Sequence, residues 1–207
     1  MIITEIKPVK KALSILYIDD EYVDDEYAIK LDTAVLEENC IRVGCDIDDD
    51  TLEELIDKSN YKRAKEKALW LMSGKDYSKQ KLIDKLKKDF PQDVAERVCE
   101  RMEELGLLND EKYASRLAYD LVYNKKMSLK AAKYKLMEKG ISKTLCEEIL
   151  EEYEVDPVEQ LIALIEDKYG HKLADEKDRR RTIAALQRLG YSWGDIRSAL
   201  VIYEEDY

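Results

Sequence analysis

Three leucines, Leu86, Leu136 and Leu186, stand fifty residues apart, and each is followed four positions later by Phe90, Gly140 or Gly190. A fixed period near fifty marks a repeated helical unit that cannot bury its apolar face alone, so copies of it must stack. The helix starts keep the same beat, since Ser78 and Ser128 are also fifty apart. The joint between units is written in Leu105-Gly106-Leu107-Leu108-Asn109-Asp110-Glu111-Lys112-Tyr113-Ala114. Gly106 can take the left-handed backbone that stops a helix, Leu107 and Leu108 supply the apolar contact behind it, and Asn109 is a good N-cap. Asp110 and Glu111 then fall in the new first turn, where the helix dipole favours negative charge.

The period predicts three units of three helices. In the first, residues 61 to 73 lead to a loop at Gly74, a helix capped by Ser78 and a third helix from Gln92 to Leu105. The second runs from Asp110 to about Asn124 and restarts at Ser128 and after Ser142. Asp156-Pro157 opens the third with an N-cap and a first-turn proline, and Ser192 with Asp195 makes a capping box for the last helix. Leu82, Ile83 and Leu86, matched by Ala132 and Leu136, form a core stripe.

Residues 1–60 follow other rules. Ile2 to Lys7, Ala12 to Ile18 and parts of Tyr22 to Leu31 alternate apolar and polar, which predicts a short β-meander with a polar turn at Asp19-Asp20-Glu21. Asp32 to Glu38 reads as a capped helical turn, and Ile41 to Ile47 as an added strand. Asp50 or Thr51 is expected to cap a helix carrying Leu52, Leu55 and Ile56 that ends or bends near Ser59-Asn60. A boundary is therefore placed near residue 60, giving an acidic β-rich domain 1–60 and repeats at 61–109, 110–156 and 157–207.

Charge supports that division. Of 35 Lys+Arg and 46 Asp+Glu, residues 1–60 hold six and seventeen, so residues 61–207 hold 29 of each. All the net acidity sits before the repeats, and the low pI does not exclude a surface for polyanions further along. Within the repeats, basic and acidic helices alternate, which allows either a basic stripe along one side or internal pairing of the signs as surface ion pairs.

Catalytic and metal chemistry find little footing. Cys40, Cys45, Cys99 and Cys146 lack zinc-ligand spacing and read as reduced, mostly buried thiols. The acidic runs Asp19 to Glu26 and Asp46 to Asp50 lack the Gly and terminal Glu of an EF-hand and read as solvated faces. His171, the one histidine, stands beside Gly170 near a helix end and reads as a cap residue. No nucleophile motif or Gly-rich phosphate loop is present, no cofactor is called for, and no metal site is expected. Without a signal pattern or an apolar run of membrane-spanning length, the sequence reads as a cytoplasmic protein with no membrane contact.

The pattern Ala68-Leu69, Ser78 with Leu82 and Leu86, the junction from Leu105 to Ala114, and Leu136 with Lys139-Gly140-Ile141 resembles the RecX regulatory proteins of bacteria. The resemblance covers residues 61 to 206, and the acidic segment before them is similar to an extension in some members. Where the family carries basic or glycine residues before the second helix, this chain has Lys75-Asp76-Tyr77 and Lys126-Met127. The resemblance implies a mainly α fold, three tandem three-helix repeats in a curved array after a small β-rich domain. It also implies binding to the RecA filament on DNA, with inhibition of its ATPase, strand-exchange and coprotease activity in recombination, DNA repair and the SOS response.

DNA is then expected as a partner within the RecA filament or weakly by itself, and the protein is expected to be a monomer. The candidate RecA/DNA-binding surface is Lys79, Lys81, Lys85 and Lys88 in the first repeat, Lys125, Lys126, Lys130, Lys133 and Lys135 in the second, and Arg179, Arg180 and Arg181 in the third. Lys81, Lys85 and Lys88 recur at i, i+4 and i+7, a spacing that shares one helix face. A general helical scaffold for other proteins and a weak single-stranded nucleic-acid binder are the alternatives. The second lacks an evident stacking platform, because Tyr77, Tyr113, Tyr119, Tyr123 and Tyr134 fall where they could equally be core.

Overall fold

The structure, a computed structural model, describes residues 1–9, 12–19 and 27–206. Most of the expected turn at Asp19-Asp20-Glu21 and of the acidic run to Glu26 lies outside these residues. Two compact units, Met1–Leu108 and Asn109–Tyr207, meet the chain at the predicted junction and are taken in turn.

The first unit opens with an antiparallel sheet in the order β1 (Ile2–Val9), β2 (Leu13–Asp19), β3 (Tyr27–Asp32). In β2 the alternation works as read: Ser14, Leu16 and Ile18 are buried while the residues between them are not. Asp32 ends β3 and caps α1 (Thr33–Glu38), accepting from the Ala34 N–H at 3.0 Å. The strand expected over Ile41 to Ile47 is absent. Left-handed backbone at Cys40 (φ 56°) and Gly44 (φ 86°) coils the segment, which meets β1 through an isolated bridge between Ile2 and Asp46 and two backbone bonds, Ile3 N–H to the Cys45 carbonyl at 3.0 Å and Gly44 N–H to the Ile3 carbonyl at 2.8 Å.

Helix α2 (Asp49–Gly74) starts and continues differently from the sequence reading. Asp48, not Asp50 or Thr51, is its N-cap, accepting from the Thr51 N–H at 2.8 Å. The helix neither ends nor bends to a stop at Ser59-Asn60 but passes through unbroken. Ser59 is fully buried, and its hydroxyl accepts the Asp32 N–H at 2.8 Å, while Lys62 one turn on donates to the Asp32 carboxylate at 2.8 Å. What looks like a polar break is the attachment of the sheet to the helix. Leu52 and Leu55 therefore join the core of Ile3, Leu16, Ile18 and Leu31, whereas Ala64 and Ala68 of the same helix join the next core.

That next core is the first three-helix repeat: the second half of α2, α3 (Lys79–Leu86) and α4 (Gln92–Glu104) around Leu82, Leu86, Val98 and Met102. Ser78 caps α3 by accepting the Lys81 N–H, as its place before the apolar stripe requires. In the second unit the second repeat comprises α5 (Asp110–Tyr119), α6 (Leu129–Glu138) and α7 (Lys143–Glu151), capped by Asn109, Ser128 and Ser142. The third comprises α8 (Pro157–Lys168), α9 (Glu176–Arg188) and α10 (Trp193–Asp206). The Ser192/Asp195 capping box forms, with Asp195 N–H donating to the serine hydroxyl at 3.1 Å.

The three leucines of the period occupy equivalent places on α3, α6 and α9 and are all fully buried. Truncating any of them to alanine is worth about 2–5 kcal/mol of lost packing and residual cavity, which is why the fifty-residue spacing is held. Cys99 and Cys146 are buried, but Cys40 is exposed, so the expectation of mostly buried thiols holds in the repeats and not at the turn after α1.

Candidate interaction surface

The basic side chains singled out in the sequence fall on the second helix of each repeat, α3, α6 and α9, and on the turns next to the first two of these. Several are already neutralised. Lys79, at the start of α3, donates to Glu103 of α4 at 2.6 Å, and that bond raises the lysine pKa. Lys125 meets Asp120 at 2.7 Å, Lys133 meets Glu147 at 2.5 Å and Lys135 meets Glu138 at 2.8 Å. In each pair the lysine hydrogen bond holds the carboxyl below its ordinary range. Arg179 pairs with Glu204, Arg180 with Glu176 at 3.0 Å and Arg181 with Asp178 at 2.9 Å. Lys81 lies 3.8 Å from Asp84.

Four of the twelve are left: among the described residues Lys85, Lys88, Lys126 and Lys130 have no ion-pair partner. The shared face of Lys81, Lys85 and Lys88 needs correction, because α3 stops at Leu86 with Lys87 as its C-cap. Lys81 and Lys85 lie on the helix, and Lys88 lies in the turn that leads to Phe90. Internal pairing and an uncompensated basic surface thus coexist, with the second confined to fewer residues than the composition suggests.

In the second repeat a groove of about 480 Å³ runs between α6 and α7, lined by Leu129, Lys130, Lys133, Glu147, Leu150, Glu151 and Tyr153. Its aromatic wall continues outward. The Tyr153 ring lies 5.5 Å from Tyr123, whose ring lies 5.0 Å from Tyr119. Tyr119 and Tyr123 are 56% and 40% exposed, and Tyr134 is 60% exposed, so these three are surface rings. Tyr77 and Tyr113 pack against the repeat cores instead. The i, i+4 spacing of Tyr119 and Tyr123 is the signal that could have identified the ladder; Tyr153, on another helix end, had none.

The turn beside the ladder is unusual. After Tyr119 the helix widens into a π-turn over Asp120–Asn124, and Lys126 takes the left-handed conformation at φ 52°. The carbonyl of Val122 accepts from the Gln160 amide nitrogen at 2.8 Å, and the Lys126 carbonyl accepts from the Tyr191 hydroxyl at 2.9 Å. The same hydroxyl lies 2.5 Å from the Gln160 side-chain oxygen, and burial pushes the Tyr191 pKa up. Residues of the third repeat therefore fix the end of the first helix of the second.

His171 is exposed in a short 3₁₀ turn, Gly170–Lys172. Among the described residues no group of three or more His, Cys, Asp or Glu side chains converges, and no helix is long and apolar enough to cross a membrane.

Residues 64–102 match the family model for the first three-helix domain of RecX, and residues 154–200 match that for the third. The regulatory protein RecX of Clostridium acetobutylicum is 28% identical over 187 residues, covering 86% of each chain. That of Clostridioides difficile is 28% identical over 182 residues, again 86% of each. The regulatory protein RecX of Trichlorobacter lovleyi is 32% identical over 130 residues, which are 60% of this chain and 84% of the relative. Among solved structures, a crystal structure of regulatory protein RecX superposes with a TM-score of 0.61 at 16% identity, covering 96% of this chain and 98% of that one. RecX from Lactobacillus salivarius gives 0.58 at 22% identity, covering 70% and 97%. Repeat spacing, three-helix cores and sequence kinship agree, and the chain belongs to the RecX family of regulatory proteins.

Proposed function

We propose that this protein binds the RecA filament on DNA and restrains its ATPase, strand-exchange and coprotease activities. The observation that carries the reading is membership of a family whose curated relatives are named regulatory proteins. Lys85, Lys88, Lys126 and Lys130, the members of the predicted set without an ion-pair partner among the described residues, are the proposed contacts, and the paired members contribute less. A nucleoprotein filament offers phosphates and protein subunits together, which suits a chain that carries both unpaired ammonium groups and exposed rings.

In this reading the protein acts as a cytoplasmic monomer without cofactor and without chemistry of its own. The acidic residues 1–60 form a functional division that weakens attraction to naked DNA, while the three repeats, 61–109, 110–156 and 157–207, carry the contacts. Pull-down against RecA filaments and bare DNA, run side by side, tests it. Retention on the filament well above retention on bare DNA is expected, and equal retention on both would replace the filament reading with a nucleic-acid one.

A further inference from the structure

Helices α4, α6 and α9 each end in the left-handed conformation on a glycine: Gly106, Gly140 and Gly190 at φ 68°, 84° and 92°. The first helix of the second repeat ends in the same conformation on a lysine, Lys126. A Cβ in that region crowds the following carbonyl, and such a residue persists only where its surroundings over-determine it. Here they do. The Lys125 N–H donates to the Asp120 carbonyl at 2.9 Å, the Met127 N–H to the Leu121 carbonyl at 2.9 Å, and the Tyr191 hydroxyl to the Lys126 carbonyl at 2.9 Å. Every one of these bonds is made to or from backbone, so the turn needs nothing from the lysine side chain, and glycine would fit it with less strain.

The side chain itself is uncompensated. Lys125 is spent on Asp120 and Lys133 on Glu147, whereas Lys126 and Lys130 have no ion-pair partner among the described residues. One turn ahead of Lys126 the exposed rings of Tyr119 and Tyr123 stand 5.0 Å apart, with Tyr153 behind them. Exposed flat rings beside free ammonium groups are what a single nucleic-acid strand requires, bases against π-faces and phosphates against charge. Glu147 and Glu151 line the α7 wall of the neighbouring groove and repel phosphate there, which leaves the α6 wall with Lys130, four residues on from Lys126, for the backbone.

We propose that the strained turn at Lys126, with the Tyr119 and Tyr123 rings, is a contact site for a single nucleic-acid strand, and that lysine is kept there against its backbone because its ammonium meets a phosphate. The inference rests on the reading that the protein works on a filament containing DNA.

The test uses the full chain with K126G and K126A, a labelled oligothymidylate at several salt concentrations, and thermal melting. Both variants should bind more weakly, with a log-log salt slope shallower by about 0.7. K126G should melt about 2–4 °C above K126A, since only glycine relieves the backbone. Replacing Tyr119 and Tyr123 by alanine should weaken binding about fivefold or more with the salt slope unchanged. K126G that binds like the wild type, K126G that melts no higher than K126A, or a wild type that ignores the oligothymidylate at low salt would each overturn the proposal. Loss of action on RecA filaments with oligothymidylate binding intact would assign Lys126 to a protein contact and overturn the phosphate. A wild type without effect on RecA that still binds the strand through Lys126 upholds the contact and removes only the filament reading.

Discussion

Gly190 lies so close to Ala131 that a Cβ built on the glycine would stand 2.3 Å from that of the alanine. The Ser128 hydroxyl donates to the Gly190 carbonyl at 2.8 Å, and the Ser128 N–H donates to the Leu189 carbonyl at 3.0 Å. The end of α9 is thus seated on the start of α6, and the second and third repeats share one joint.

G190A should damage that joint twice, by the clash and by placing a Cβ at φ 92°. A loss of about 1–3 kcal/mol in urea unfolding is expected from overpacking. Adding A131G removes the overlap with the alanine Cβ but leaves the Ser128 hydroxyl 2.6 Å from the new Cβ and the backbone strain, so part of the loss should return in a double-mutant cycle. Strict additivity of the two substitutions would show that the residues do not meet.

The Tyr191 hydroxyl gives a second handle on the same joint. Y191F keeps the buried ring but removes the single O–H that lies between the Gln160 oxygen and the Lys126 carbonyl, which should cost about 1–3 kcal/mol. Equilibrium unfolding measures it, and an unchanged stability would show that water replaces the hydroxyl.

Acid should loosen the molecule in a defined direction. Asp89, Asp120, Glu138 and Glu147 are all held below their ordinary range, chiefly by hydrogen bonds from Lys67, Lys125, Lys135 and Lys133. A carboxyl with a depressed folded-state pKa contributes stability that is full above its unfolded value and lost as pH falls through the folded one. The melting temperature should therefore fall as pH drops below the ordinary carboxylate range, and high salt should shrink the fall because these pairs are largely exposed. A melting temperature flat to the acid side of that range would contradict the pairing.

The repeats were legible because their signals are local. Caps at Ser78, Ser128 and Ser142 and the stop at Gly106 each report on a few neighbouring residues, and each appears where expected. What escaped is what depends on distant partners. Ser59 reads as a break until Asp32 is seen to donate to it, and the segment after Cys40 reads as a strand until two left-handed residues coil it. The candidate surface divides the same way. Sequence located the basic residues, but only the fold shows Lys79 spent on Glu103 and Lys126 left over.

Engagement of RecA on DNA by the lysines without ion-pair partners is read out by the DNA-dependent ATPase of the cognate RecA. The intact protein should suppress the activity. Charge reversal at Lys85, Lys88, Lys126 and Lys130 together should restore most of it with the melting temperature little changed, because three of the four are exposed, the fourth is half-buried without an ion pair, and exposed charges contribute little to folding. Reversal of the paired Lys135, Arg180 and Arg181 should restore much less. Full suppression by the first variant, or no suppression by a folded wild-type protein at any ratio to RecA, would contradict the account.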